Sequence, residues 1–212
     1  MLPKFPFAGC FVTCLFLAAT ARAQMGFSAE TVDLKRPGTP VSAKIYFAQE
    51  RMRIEPQNMV PRDAPPIVYI VYLKTQTAFA ILPRQRVYAE IPMGHVHDWL
   101  IYTAFLAGDV ENACSSWEEF THSRGGNCRK VGADVLHGRP TVKYDRRCSN
   151  NKPCQVWIDR SLHLLVKWDY GSYAQELQNI QEGDQPIALF EIPAGFTRTQ
   201  ATTGTVQSSK PH

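Results

Sequence analysis

Three stretches in the last third of the chain decide the fold: residues 132–144 (GADVLHGRPTVKY), 155–180 (QVWIDRSLHLLVKWDYGSYAQELQNI) and 188–196 (ALFEIPAGF). Apolar and polar residues alternate in each of them, and turn residues such as Gly171-Ser172 separate the alternating runs. Alternation with a period of two is typical of a strand with one buried face. The stretches contain no catalytic constellation. They predict a mainly β protein, a barrel or half-barrel that displays surfaces.

The middle of the chain continues this pattern. We predict strands at 27–35, 67–73, 78–82 and 86–91, and two more within 41–54 that are joined near Gln49-Glu50. Residues 67–73 are apolar on both faces and rich in β-formers, which indicates a central strand. The strands follow one another with short connections, so we expect an antiparallel meander.

Residues 99–107 (WLIYTAFLA) do not alternate between apolar and polar residues as the predicted strands do. Asp98 before them and Gly108 after them predict the N-cap and the end of a short helix. The segment is apolar nearly all round, so we expect it to be buried against the sheet as core or to line a pocket for an apolar ligand. For the pocket, the sequence proposes four ligand-binding residues: Trp99, Tyr102, Phe105 and Leu106.

The amino terminus predicts export. Lys4 precedes an apolar stretch, and Ala21-Arg22-Ala23 is an A-x-A cleavage site, so residues 1–23 are interpreted as a signal peptide. No later segment is apolar enough to cross a membrane, and we expect a periplasmic or extracellular protein. Residues 24–196 then form one domain, and 197–212, which have little apolar content, a disordered tail.

The charge balance argues against a nucleic-acid partner. The formal net charge is +4, and two of the positive charges, Lys4 and Arg22, lie in the signal peptide. What remains is weak and mixed in sign, whereas proteins that bind nucleic acid carry a concentrated basic surface.

Four of the six cysteines lie outside the signal peptide: Cys114, Cys128, Cys148 and Cys154. An even number of cysteines in an exported chain predicts disulfides. Three pairings are possible. We favour Cys114 with Cys128 and Cys148 with Cys154, because each pair brackets a polar segment rich in turn residues. A zinc site made of the four thiolates is the alternative, although the chain has no C-x-x-C pair.

One cluster, His95-Val96-His97-Asp98, resembles a metal or acid–base site. Histidines at this spacing point the same way on a strand, and a metal-dependent hydrolase would need a further ligand from elsewhere in the chain. The alternative is that these are loop histidines before a helix. The chain has no G-x-S-x-G elbow and no glycine-rich phosphate loop. No metal or cofactor is therefore predicted.

A set of motifs distributed along residues 27–196 resembles an uncharacterised family of exported bacterial proteins, which is itself similar to the outer-membrane lipoprotein carriers LolA and LolB. The motifs are, in order, GFSAETVDL, AKIYFAQERMRIE, LPRQRVYAEIP, CRKVGADVLHGRPTVKY, VWIDRSLHLLVKW, ELQNI and LFEIPAGF.

This resemblance implies an antiparallel sheet curled into an unclosed half-barrel, with one or two short helices on its concave side. The fold binds acyl chains in the carriers and senses lipoproteins in sigma-factor regulators. We therefore expect non-catalytic binding of a lipid or a lipidated protein segment in the concave side. The alternatives are a protein-binding envelope module with a filled barrel, the metal-dependent hydrolase, and a structural domain that binds nothing.

Overall fold

The computed structural model describes residues 26–36, 38, 41–57, 66–92, 105–120, 128–147 and 153–200. Within them lie twelve strands, one α-helix and two 3₁₀ turns. The strands are β1 (Phe27–Asp33), β2 (Ala43–Ala48), β3 (Arg51–Pro56), β4 (Val68–Tyr72), β5 (Thr77–Leu82), β6 (Val87–Pro92), β7 (Arg129–Leu136), β8 (Arg139–Arg147), β9 (Pro153–Asp159), β10 (Leu165–Asp169), β11 (Ala174–Glu182) and β12 (Thr197–Arg198). The helix α1 spans Ala113–Phe120, and the 3₁₀ turns span Val110–Asn112 and Ile187–Phe190.

All twelve strands belong to one curled, unclosed sheet in the order β12-β6-β5-β4-β3-β2-β1-β11-β10-β9-β8-β7. Neighbouring strands are antiparallel, except that β12 runs parallel to β6. The pairing of β1 with β11 joins an amino-terminal and a carboxyl-terminal meander. The predicted fold class, a mainly β half-barrel with a short helix, is confirmed.

Alternation places one face of the sheet in the core. In β1, every second residue from Phe27 to Asp33 is buried, and the residues between them are half-buried. Phe27 and Ala29 pair with Phe47 and Ile45 of β2, so apolar side chains continue from strand to strand on the same face. We call this the core face. The opposite face, which carries Val32, Lys44 and the other residues of opposite parity, is the outer face.

The core face continues into the carboxyl-terminal meander, where α1 covers it. Thr31 and Asp33 pair with Leu177 and Gln175. Trp168, Val156 and Tyr144 follow from Gln175 on the same face through direct pairs. The residues that surround Trp168 form one apolar cluster with α1 and the segment before it: Phe105, Ala107, Val110, Ala113, Trp117, Val142, Tyr144, Val156, Ile158 and Leu165. The one described helix therefore packs on the same face as the main core.

The predicted helix at 99–107 is wrong at its carboxyl end. Leu106 forms a β-bridge with Leu164, and the amide of Ala107 donates to the carbonyl of His163, so these residues are extended. The N-cap lies later: the side chain of Asp109 accepts a hydrogen bond from the amide of Glu111 and starts the 3₁₀ turn that leads into α1. Residues 99–104 lie outside the described part of the chain.

The predicted strand within 188–196 is also wrong. Residues Ile187–Phe190 form a 3₁₀ turn between Pro186 and Pro193. The carbonyl of Phe190 accepts from the Tyr72 hydroxyl instead of a neighbouring strand. The segment still covers apolar side chains of the sheet, because Ile192 and Phe196 pack on the outer-face cluster of Val68, Ile70 and Ile81.

The sheet extends beyond residue 196, the last residue of the predicted domain. Thr197 and Arg198 pair with Val87 and Tyr88 of β6, and Arg198 donates to Glu90. Residues 201–212 lie outside the described part of the chain, so a disordered tail there remains a prediction.

The disulfide prediction is confirmed for one pair. Cys114 and Cys128 are bonded, and the bridge ties α1 to the residue that precedes β7. Cys154 is also disulfide-bonded. Its predicted partner, Cys148, is not among the described residues, so that pairing remains a prediction.

Candidate functional site

Two of the four predicted ligand-binding residues are described, and they differ in environment. Phe105 is 1% exposed, and its ring centroid lies 4.7 Å from that of Trp117 and 5.4 Å from that of Phe120. Leu106, the next residue, is 37% exposed. Because an extended backbone points successive side chains to opposite sides, only one of the pair enters the core. Ligand contact by either of them remains a prediction, as it does for Trp99 and Tyr102, which are not described.

The histidine cluster proposed for a metal, His95, His97 and Asp98, lies outside the described residues. Within the described ranges, no three histidine, cysteine or carboxylate side chains come together in a group that could hold a metal ion. In the same ranges, no helix has the length and apolar character needed to cross a membrane.

A distinct site forms where two neighbouring strands carry bulges. Val166 is an extra residue in β10 opposite β9. In β11, Asn179 and Ile180 together face Ala29 of β1, between the pairs that flank them. Asn179 has a φ of 52°, a left-handed conformation that asparagine tolerates better than most residues. Bulges interrupt the ladder and bend the strand, which opens space between neighbouring strands.

A cavity of about 270 Å³ occupies this position, and we call it the bulge cavity. Its walls are partly apolar: Val166 and Leu177 belong to the main core cluster, and Leu136 and Ile180 pack against that cluster. The polar residues that complete the lining are His137, Arg139, Gln178 and Asn179. The cavity therefore connects solvent with the edge of the apolar core.

A histidine–carboxylate pair holds the β7–β8 turn against β11 beside this cavity. Nε2 of His137 lies 2.5 Å from Oε1 of Glu176, whose side chain is 6% exposed. Burial alone would raise the pKa of the Glu176 carboxyl, but hydrogen bonds from His137 and Gln178, together with electrostatic attraction to His137 and Lys167, lower the pKa below its ordinary value. Glu176 is therefore ionised at neutral pH, and it fixes the turn that forms one wall of the bulge cavity.

Arg139, at the other side of the turn, is held by two carboxylates. Its Nε donates to Asp159 at 2.5 Å, and its Nη2 donates to Glu182 at 2.7 Å. The hydrogen bond to Asp159, together with the contact to Glu182, raises the pKa of the guanidinium. Asp159 is fully buried and also accepts from the amides of Ser161 and Leu162. Because its charge is already matched, Arg139 serves mainly to anchor the wall of the cavity.

The outer face beside the cavity carries a row of directly paired residues, Lys143, Trp157, Lys167 and Glu176, one from each of β8 to β11. Both ammonium groups lie 4.8 Å from the Trp157 ring centroid. The indole Nε1 donates to Asp134 at 2.8 Å. The lysines and the tryptophan thus stabilise one another through cation–π contacts, in a row that ends at Glu176, the partner of His137 in the cavity wall.

A second, polar recess of about 160 Å³ lies on the other side of Asn179. Its lining is mostly polar: Ser28, Ala29, Glu30, Lys44, Tyr46, Asn179 and Gln181. Asn179 lines both spaces, and its amide donates to Oε2 of Glu30 at 2.7 Å. We call this space the polar recess. The two spaces therefore both lie beside the β11 bulge, and Asn179 is the lining residue that they share.

Sequence reasoning missed this site. To predict the bulge in β11, one must know the register between β1 and β11, which are almost 150 residues apart in the chain. Two local features of the sequence indicate a bulge here. The polar pair Gln178-Asn179 interrupts the alternation of ELQNIQE, and asparagine is among the residues that adopt a positive φ. The apolar walls, by contrast, look like ordinary core positions.

No protein-family model matches this chain, and no curated protein matches it at a significant level. Solved structures are similar at low identity. PNGF-II has a TM-score of 0.50 and 11% identity; the match covers 84% of this chain and 32% of that chain, so this chain spans about a third of it. An uncharacterized conserved protein from Thermus thermophilus has a TM-score of 0.47 and 8% identity, with 84% and 91% covered.

LolA-like folds are among the similar structures. The LolA superfamily protein NE2245 from Nitrosomonas europaea matches with 6% identity and a TM-score of 0.27, over 79% of this chain and 89% of that one. At these identities the likeness concerns the fold.

Proposed function

We propose that this protein is exported and binds a lipid, or the lipidated segment of another envelope protein, without catalysing a reaction. The bulge cavity is the observation that carries the proposal, since it leads from solvent to the apolar core through a rim of fixed polar groups. Ligand sites are commonly concave and apolar with a few placed polar groups. The signal-peptide pattern and the sequence resemblance to the lipoprotein carriers support the same function.

The size of the cavity suggests which part of a ligand enters it. At about 270 Å³ it lies just below the range of about 300–1,000 Å³ that is typical of whole small-molecule sites. It therefore fits an acyl chain or part of one, while the polar portion of the ligand stays at the rim. Removing an acyl chain from water into such a space is favourable in proportion to the apolar area buried.

A protein-binding module with a filled interior is the second candidate, and one observation favours it. Core-face residues of the amino-terminal meander, such as Phe27, Ile45 and Ile54, have no exposed surface. Such a module would bind its partner through an outer surface and would take up no free acyl ligand. Acyl binding in solution therefore separates the two candidates.

The test is a titration of the mature protein with a fluorescent fatty acid, together with thermal melting. We expect saturable binding and a melting temperature that rises with ligand, because a ligand at 100 times its Kd stabilises the folded state by about 2.7 kcal/mol. Leu136→Trp, which fills the bulge cavity, should weaken binding about tenfold or more, a loss of at least about 1.4 kcal/mol.

Val135→Trp is the matched control, because Val135 is the preceding residue of the same strand, is 63% exposed and does not line the cavity. It should bind as the wild type does. Equal binding by both variants would place the acyl site elsewhere in the molecule. No binding by the folded wild type would contradict the proposed function and favour the filled module.

A further inference from the structure

We propose that the bulge cavity and the polar recess form one groove that binds a single-chain amphiphile with a zwitterionic head group of the phosphoethanolamine type. The two spaces share Asn179, and consecutive residues of β11 line them: Gln178 and Ile180 face the cavity, and Gln181 the recess. An amphiphile could therefore place its chain and its head in adjoining spaces. This inference rests on the proposed function and adds the class of ligand.

The recess offers one positive and one negative group to a head group. Lys44 and Glu30 are directly paired across β2 and β1, so their side chains leave the outer face side by side. Lys44 is exposed, and no described carboxylate forms an ion pair with it. Glu30 gives one carboxylate oxygen to the Asn179 amide and retains a second oxygen as an acceptor.

This pair of charges favours a zwitterion over a ligand of single charge. A purely anionic head beside Lys44 would also face the Glu30 carboxylate, and a purely cationic head beside Glu30 would face the Lys44 ammonium. Repulsion between like charges therefore disfavours a ligand that carries only one charge. A head with both a phosphate and an ammonium satisfies Lys44 and Glu30 together. Ser28 and Tyr46 add hydroxyl donors for the phosphate oxygens.

The groove also limits the number of chains. The apolar half is about 270 Å³, smaller than most sites for whole ligands, and the recess beside it is polar. A second acyl chain would have to lie on polar groups or in water. The structure therefore assigns the groove to a single-chain lipid rather than to a diacyl phospholipid.

The test compares four probes by calorimetric titration of the mature protein at low salt. They are lysophosphatidylethanolamine, lysophosphatidylglycerol with the same chain, an alkylamine of equal chain length, and glycerophosphoethanolamine, which has the head group alone. We expect the zwitterionic lysolipid to bind about tenfold more tightly than either singly charged amphiphile, and the free head group to bind far more weakly.

Substitutions of Lys44 and Glu30 test whether these two residues cause the head-group preference. Lys44→Gln should weaken binding of the zwitterionic lysolipid and shift the preference toward the alkylamine, whereas Glu30→Gln should shift it toward the anionic lysolipid. Glutamine at position 30 can still accept the hydrogen bond from Asn179, so this variant should stay folded. Lys74→Gln, an exposed lysine in the turn between β4 and β5 that lines neither space, is the control and should leave all four affinities unchanged.

Each outcome separates the two proposals. Equal binding of the three amphiphiles would overturn the head-group assignment while the lipid-binding function stands. Binding of the free head group as tight as that of the lysolipid would show a site for a soluble zwitterion and contradict the joined groove. If none of the three amphiphiles binds, the head-group assignment fails, and the fatty-acid titration described above decides whether the lipid-binding function stands.

Discussion

At the scale of single residues, Phe105 and Leu106 show how one step along the chain changes the role of a side chain. Phe105 packs edge-on against Trp117 and lies in the aromatic cluster under α1. Leu106 has more than a third of its surface in contact with solvent and meets the sheet through its backbone bridge to Leu164. Both are predicted ligand residues, but only Phe105 buries its whole side chain and so contributes strongly to the free energy of unfolding.

We expect Phe105→Asp to unfold the protein or to lower its free energy of unfolding by several kcal/mol. A carboxylate at this position would be buried without a partner, and the substitution also removes a packed aromatic ring. Leu106→Asp is the matched control and should cost less than about 1 kcal/mol, because the new charge can reach water. Circular-dichroism melts of both variants measure the difference. A Phe105→Asp protein as stable as the Leu106→Asp protein would contradict the core position of Phe105.

At the scale of elements, the disulfide between Cys114 and Cys128 holds α1 to the start of β7. The helix has eight residues, which is too short to be stable in isolation. Its stability comes from packing, through buried Ala113 and Trp117, and from this covalent link. Tyr144 adds a further tie, because its hydroxyl donates to the Val110 carbonyl at 2.6 Å and accepts from the Ala113 amide.

Replacing both cysteines of this bridge by alanine should lower the free energy of unfolding by about 3 kcal/mol, the value expected for a closed loop of about 15 residues. Ser115→Ala, an exposed position on the same helix, should change it by less than about 0.5 kcal/mol. Urea unfolding monitored by tryptophan fluorescence measures both. An unchanged midpoint in the double variant would show that packing alone fixes α1.

Peptide mapping without reduction tests the second predicted bridge. We expect a peptide that joins Cys148 to Cys154 and no free thiol in protein taken directly from the envelope. Cys154 is disulfide-bonded in the structure, so we expect no free thiol at that position. Recovery of Cys148 as a free thiol would contradict the predicted pairing.

The sequence predicts those elements whose pattern is local. The turn at Gln49-Glu50 and the strands on either side follow from alternation that needs no knowledge of the partner strand. The carboxyl end of the predicted helix is wrong because 99–107 satisfy the capping rules although Leu106 pairs with Leu164, and α1 is not predicted because only half of its residues, ACSSWEEF, are apolar. The bulge in β11 depends on its register with β1, a long-range property that local patterns do not contain.

At the scale of the whole molecule, the sheet combines a filled core with the bulge cavity and the polar recess. The core face of the amino-terminal meander is buried, and α1 covers part of the carboxyl-terminal meander. The bulge in β11 lies where the two meanders join, the bulge in β10 lies one strand away, and the bulge cavity opens beside them. A stable core and a ligand space can therefore coexist, because the ladder of the amino-terminal meander is uninterrupted.

The most direct test of lipid binding is native mass spectrometry of the protein purified from its own envelope without detergent, before and after extraction with organic solvent. We predict a species heavier than the mature chain by the mass of one lipid, lost on extraction and restored by adding a single-chain lysolipid. The Leu136→Trp variant should carry much less of the added mass. A wild-type protein that shows only the mass of the bare chain, both as purified and after incubation with the lysolipid, would contradict the proposed function.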